Sequence, residues 1–321
     1  MDKMESSVAT SFKISLPQGT RIRGRWHGGK YIIQRLLGQG ANGVVYLVKR
    51  EKNNKLYALK LGFDTLDIQS EINVLKALQR QRRRRGPTER DLAYLVEVDD
   101  YAYQGREVPF YVMRYVQGEP LRVFLARRGP RWLDAAGLQL LQQLKRLHES
   151  GWVFGDLKPE NMLVGPYGEV ELIDYGGATS IGRSVKQFTE WYDRGFWDAG
   201  NRTADPSYDL FSFAVVCLHM LAEQPLKKAA TQLPQMRSRQ DLLAIVDNHE
   251  ALQPYKAWLQ LALRGEFRDT AEACRLWREQ VAERFATRPR RKRGATPNWM
   301  VGAFVVSLGL LACAIYLTLR F

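Results

Sequence analysis

Three stretches of the chain collect residue types that can handle phosphate. Gly38-Gln-Gly40-Ala-Asn-Gly43-Val-Val45 is a G-x-G-x-x-G-x-V run. Glycines at this spacing open a helix in dinucleotide-binding folds, so the run alone is weak. Here a β-rich run follows it, which favours a hairpin whose backbone N–H groups approach phosphate oxygens with no side chain in the way. Lys60, in Tyr57-Ala58-Leu59-Lys60, sits in an apolar strand, where an unpaired ammonium is costly. Glu71 is the candidate partner that would fix it over a phosphate. A solvent-facing lysine on an edge strand is the other reading, and these residues alone leave it open. Further on, Asp156-Leu-Lys158-Pro-Glu-Asn161 precedes Asp174-Tyr-Gly176, with Asp174 thirteen residues after Asn161. The four histidines are dispersed and show no metal spacing. His148 is not needed as a base.

Short β-rich runs at 31–37, 44–49 and 56–61, separated by Gly or Asn turns, predict three strands, the first two forming a hairpin. Over 67–80, Ile68, Ile72, Leu75 and Leu78 recur at spacings of four, three and three, an amphipathic helix that carries Glu71. Two more strands are predicted near 93–98 and 110–116. From Leu133 the pattern turns helical, as in Leu138, Leu141, Leu144 and Leu147. No internal repeat is visible. A small β lobe with one helix, followed by a larger helical lobe, is an α+β plan with a cleft between lobes for a ligand.

The 321 residues carry 48 Lys and Arg against 34 Asp and Glu, a net charge of +14 that draws the chain toward nucleic acid or anionic lipid. The 45% hydrophobic and 26% charged fractions exclude a disordered or collagen-like chain. Three widely spaced cysteines exclude a disulfide scaffold and a cysteine zinc module. Residues 299–319 form an uncharged run which, as a helix, reaches roughly 30 Å and predicts a transmembrane span. Arg288, Arg290, Arg291, Lys292 and Arg293 before it place the preceding domain in the cytoplasm and at anionic lipid. Gly302 and Gly309 share a helix face and suggest pairing of spans in a homodimer. The expected layout is a flank at 1–30, a globular domain at 31–285, a basic juxtamembrane linker at 286–297 and the span at 298–319. A second basic run, Arg80, Arg82, Arg83, Arg84 and Arg85, follows the helix carrying Glu71. It reads either as a solvated face or as a patch for nucleic-acid phosphates.

The ordered set of glycine loop, strand lysine, helix glutamate, Asp156-x-Lys158-Pro-Glu-Asn161 and Asp174-x-Gly176 resembles a Hanks-type (eukaryotic-like) Ser/Thr protein kinase over most of the chain before the terminal run. The resemblance implies the bilobal protein-kinase fold, here joined to one C-terminal transmembrane helix. It implies ATP and Mg²⁺ as cofactors and protein hydroxyls as substrates. Asp156 would accept or orient the substrate hydroxyl proton, Lys158 would neutralise the transferring phosphoryl group, and Asn161 and Asp174 would hold the metal. Met113 matches the gatekeeper, the backbone of Arg114 and Val116 would read adenine, and Val45, Ala58 and Leu163 would sandwich the ring.

Three positions depart from the family pattern. Phe154-Gly155 replaces His-Arg before Asp156, and Tyr175 replaces Phe after Asp174. Phe154 and Tyr175 keep the bulk for a stack with Leu75, whereas Gly155 has no charge to clamp a phosphate on Thr179, Ser180, Ser184 or Thr189. Third, Ala-Pro-Glu is missing, and Asp198 paired with Arg268 is the expected substitute. Asp209 in Ser-Tyr-Asp-Leu-Phe is read as a brace for the catalytic loop or as a simple N-cap. The sequence is also similar to the small membrane-anchored Hanks kinases of endospore-forming bacteria, the YabT-like group, which implies a link to sporulation and DNA as a stimulating ligand at the Arg80–Arg85 run. The alternative function is a pseudokinase scaffold that binds ATP or DNA without efficient phosphoryl transfer.

Overall fold

Apolar residues that alternate along the first strands put one face of a sheet in a core and turn the residues between them to the other face. The computed structural model describes residues 14–40, 42–84, 95–186, 188–286 and 298–319. Strands β1 (Arg21–Arg23), β2 (Lys30–Gly40), β3 (Gly43–Arg50) and β4 (Leu56–Gly62) lead into helix α1 (Thr65–Arg84), and β5 (Leu95–Tyr103) and β6 (Arg106–Arg114) complete the lobe. The sheet is antiparallel in the order β1-β2-β3-β4-β6-β5. Val44, Tyr46, Val48, Leu59, Leu61, Phe110 and Val112 close on Ile14, Ile22, Tyr31 and Ile33 in one cluster. Side chains in a strand alternate between faces, so Val45, Ala58, Lys60 and Met113 point the other way. In α1, Ile68, Ile72, Leu75 and Leu78 are all buried, each worth about 1.5–3 kcal/mol, and the helix packs on β4, β5 and β6.

The second lobe begins with β7 (Glu119–Pro120), α2 (Leu121–Arg128), α3 (Leu133–Glu149), β8 (Trp152–Val153), β9 (Met162–Val164), β10 (Val170–Leu172) and β11 (Thr179–Ser180). It continues with α4 (Pro206–Leu221), α5 (Glu223–Ala230), α6 (Arg239–Asn248), α7 (Lys256–Arg264) and α8 (Thr270–Ala286). Helix α4 is apolar almost all round and is the buried axis of this lobe. Asp205 caps it, accepting from the Tyr208 N–H, and Pro206 stands at its first turn. Phe213 of α4 meets the rings of Trp258 and Trp277 at 5.4 and 5.3 Å. The bilobal α+β architecture follows from the strand and helix periodicities. None of Cys217, Cys274 and Cys313 forms a disulfide.

The chain divides into one unit ending at Trp277 and a second from Arg278 to Phe321, which holds α9 (Asn298–Leu319). The expected transmembrane span is corrected here: among the described residues no helix is long and apolar enough to cross a membrane. With the span go the single-pass, membrane-tethered localisation, the cytoplasm-facing orientation drawn from it, the anionic-lipid role of the juxtamembrane cations, and dimerisation through Gly302 and Gly309. Arg288, Arg290, Arg291, Lys292 and Arg293 lie outside the described residues.

Candidate active site

The sheet register aligns the residues of the cleft face. Val45 stands opposite Lys60, Ala58 opposite Met113, and Lys60 opposite Tyr111. Residues directly opposed in an antiparallel pair share a face, so Val45, Ala58, Lys60 and Met113 form one surface. Above it the β2–β3 turn closes with Gly38 opposite Val45 and Gly40 opposite Gly43. A Cβ on Gly43 would stand 2.3 Å from the Leu61 carbonyl oxygen, so only glycine lets this turn lie so close to β4. Arg114 ends β6 and donates from Nη2 to Glu171 Oε1 of β10 at 2.7 Å, tying the two lobes. Val116 follows in the connection, and Leu163 lies on β9 opposite Glu171.

Lys60 is buried and donates to Glu71 Oε2 at 2.8 Å and to Asp174 Oδ1 at 2.9 Å. Burial opposes its charge, but the two carboxylates outweigh burial and hold the ammonium above its usual value. Asp174 shows the complement: burial raises its carboxyl, and Lys60 overrides this and holds it low. Glu71 is only 3% exposed, and there burial, pushing the carboxyl up, is larger than the pull of Lys60. Asp174 has left-handed backbone (φ 60°), and its side chain accepts from the Gly176 N–H. That sparsely populated conformation aims its carboxylate at Lys60.

Asp156 carries two contacts of different kinds. Oδ2 accepts from Lys158 Nζ at 2.6 Å, and Oδ1 accepts from the Thr189 hydroxyl at 2.8 Å. Lys158 also reaches the Thr189 oxygen at 3.2 Å. Asn161 donates from Nδ2 to the Asp156 carbonyl at 2.9 Å, which fixes the loop between them. A cavity of about 510 Å³ opens beside this group, lined by Lys158, Glu160, Thr189, Glu190, Trp191 and Tyr192. Thr189 stands out in space but not in sequence, where it is one of the four Ser and Thr hydroxyls from Thr179 to Thr189. Thr179, another of the four, is 1% exposed and spends its hydroxyl on the Gly177 carbonyl.

Behind the loop, Asp209 is fully buried and accepts from Phe154 N at 2.7 Å and Gly155 N at 2.9 Å, with His148 Nε2 at 2.9 Å. Helix capping is done by Asp205 instead. Phe154 and Tyr175 meet edge to face at 5.4 Å, and the Tyr175–Gly177 turn packs on α1. The expected Asp198–Arg268 pair does not form. Arg268 is 79% exposed and 3.7 Å from Asp269, while Asp198 ends the Arg194–Trp197 turn in left-handed conformation. The ion pairs of this region are Arg194–Asp205 and Arg202–Asp193, both 2.7 Å. Of the basic run, Arg80 is exposed on α1, the side chains of Arg82, Arg83 and Arg84 are not described, and Arg85 lies outside the described residues.

The protein kinase domain family matches residues 31–289. The chain is 39% identical over 273 residues to the serine/threonine-protein kinase YabT of Bacillus subtilis (strain 168), covering 84% of this chain and 77% of that protein. It is 27% identical over 294 residues to a putative cyclin-dependent kinase F-2 of Oryza sativa subsp. japonica, covering 86% and 82%. Among solved structures, vaccinia related kinase 3 superposes with a TM-score of 0.63 at 19% identity over 85% of this chain and 92% of that one, a likeness of fold. A cleft built on a strand lysine, a helix glutamate and two loop aspartates thus coincides with the matched region, and the chain belongs to the protein kinase family, as a serine/threonine protein kinase related to the bacterial Hanks-type enzymes.

Proposed function

We propose that the chain transfers the γ-phosphoryl group of ATP to a Ser or Thr hydroxyl of a protein held at Asp156. The observation that carries this reading is the pair of contacts on the Asp156 carboxylate: one oxygen is neutralised by Lys158 and the other accepts from a hydroxyl. An acceptor hydroxyl entering from the adjoining cavity meets the same carboxylate. As its oxygen bonds to phosphorus, its proton passes to Asp156 and the bond to the β-phosphate oxygen breaks, releasing ADP. Lys158 offsets charge on the phosphoryl oxygens in flight. Lys60, held between Glu71 and Asp174, orients the non-transferred phosphates beneath the Gly38–Gly43 turn, and Val45, Ala58, Met113 and Leu163 enclose the base, with the backbone of Arg114 and Val116 at its edge.

The donor set fits Mg²⁺. Asp174 binds Lys60 and the Gly176 N–H through Oδ1, and Asn161 spends its amide N–H on Asp156, which leaves Asp174 Oδ2 and Asn161 Oδ1 as hard oxygen donors. Two protein oxygens suffice for an ion that keeps waters and phosphates as its other ligands. Bound there, Mg²⁺ supplies charge neutralisation to the phosphate oxygens. The test is phosphate transfer from labelled ATP to protein by the full chain beside Asp156→Ala. Loss of ~10²–10⁴-fold with nucleotide affinity retained is expected. Transfer undiminished by Asp156→Ala would refute the assignment.

A further inference from the structure

Neighbouring residues of opposite charge, Asp193 and Arg194, each reach forward across the same loop. Asp193 Oδ2 accepts from Arg202 Nε at 2.8 Å, and its Oδ1 accepts from the Tyr208 hydroxyl at 2.9 Å. Arg194 is 8% exposed and holds Asp205 with both terminal nitrogens, Nη1 to Oδ1 at 3.1 Å and Nη2 to Oδ2 at 2.7 Å. The same guanidinium donates to Ser207 Oγ at 2.8 Å, the Thr203 carbonyl at 2.9 Å and both oxygens of Asn201. A guanidinium has five N–H donors in a rigid fork, and here every one has an acceptor. Lysine cannot reproduce that set.

The clasp lies a few residues after Thr189 on a segment tied down throughout. The Tyr192 N–H donates to the Thr189 carbonyl at 2.9 Å, the Ser212 hydroxyl of α4 donates to the Tyr192 carbonyl at 2.8 Å, and the Trp197 indole donates to the Trp191 carbonyl at 2.7 Å. Asp205 is also the cap of α4, and α4 carries Asp209, which holds the backbone of Phe154 and Gly155 just before Asp156. Arg194 therefore fastens the segment bearing Thr189 to the helix that fixes the loop bearing Asp156. The two sides of the Thr189–Asp156 contact are referenced to one rigid element.

We propose that Arg194, through Asp205, is a positioning residue for protein phosphorylation: it sets Thr189 on Asp156 and shapes the acceptor side of the site without contributing to the nucleotide side. The inference rests on Asp156 being the proton acceptor. None of the clasp's hydrogen bonds reaches Lys60, Glu71, Asp174 or the β2–β3 turn, so its loss separates the two substrates kinetically. An anchor serving stability alone would not act through Thr189.

The experiment is a double-mutant cycle on the full chain with Arg194→Lys and Thr189→Ala, using dephosphorylated casein as acceptor and a fluorescent ATP analogue for nucleotide affinity. Arg194→Lys is expected to lower kcat for casein roughly tenfold while nucleotide affinity stays within about twofold, and to add less than about threefold once Thr189 is alanine. Asp205→Asn, which keeps the acceptor's shape but removes its charge, should give the same kcat-selective loss per folded molecule. Equal Arg194→Lys losses in both Thr189 backgrounds, a parallel fall in nucleotide affinity, or full activity in Asp205→Asn would each overturn the proposal. Asp156→Ala run alongside separates the layers. If it abolishes transfer while Arg194→Lys does nothing, only the positioning role fails; if it leaves transfer intact, the assignment of Asp156 fails first.

Discussion

Gly155 replaces the arginine that the family places before the catalytic aspartate, and the structure gives a steric reason why restoring a side chain there should harm the enzyme. Its φ is +81°, in the left-handed region, and a Cβ built on it would lie 2.6 Å from the Gly177 carbonyl oxygen. The conformation alone costs a non-glycine residue about 1–2 kcal/mol. Relieving the clash requires moving backbone rather than a flexible side-chain end, about 1–3 kcal/mol more. Gly155→Ala should thus destabilise the domain by roughly 2–5 kcal/mol, a large part of a usual total of about 5–15 kcal/mol, and lower Tm by roughly 5–15 °C. The displaced carbonyl belongs to the turn that starts at Asp174, so that carboxylate shifts with it. Transfer should fall by about tenfold or more even in the folded fraction. Gly155→Arg should be no better than Gly155→Ala, because the backbone term comes before any gain from charge. The assays are urea and thermal melts of both variants, with labelled-ATP transfer measured well below each Tm. Melting within about 1 °C of the parent, with undiminished transfer, would refute the reasoning.

Asp209→Asn removes the buried charge that accepts from Phe154 N and Gly155 N and faces His148, and it turns one acceptor into a donor aimed at donors. A loss of about 2–4 kcal/mol in urea melts is expected, with kcat falling more than nucleotide affinity; a variant as stable as the parent would remove the bracing role. The acid limb of stability should report Asp205. Burial raises its carboxyl, but the Arg194 and Ser207 hydrogen bonds outweigh burial and hold it below the ordinary range. Because the folded state then binds its proton less readily than the unfolded state, this stabilisation is fully present above about pH 4 and is lost as pH falls through the lower folded value. Urea melts between about pH 5 and 2 should show a shallower loss for Asp205→Asn than for the parent, and equal slopes would count against the assignment.

What could be read in the sequence had a period or a family spacing behind it. The two-residue alternation of β3, β4 and β6 puts Leu59 and Leu61 in the core and therefore turns Lys60 to the cleft, and the spacing of Ile68, Ile72, Leu75 and Leu78 puts Glu71 on a helix docked against the same sheet. The α9 stretch marks where periodicity and composition alone mislead. An uncharged run meets the compositional test for a span, yet no helix among the described residues is long and apolar enough to cross a membrane.

The contacts that sequence reasoning missed lie on segments without a repeating pattern. Arg194 and Asp205 are eleven residues apart on a path of turns, so nothing in their spacing distinguishes that pair from Asp198 with Arg268, although Arg268 is exposed and Arg194 is buried. Burial makes the difference physically: an exposed arginine gains little from any partner, whereas a buried one must find acceptors for all its donors. The Asp-Arg pair at 193–194, with Arg202, Asp205 and Ser207 downstream, holds enough complementary groups to meet that demand, and a chain lacking Ala-Pro-Glu needs some such set between Asp174 and the next helix.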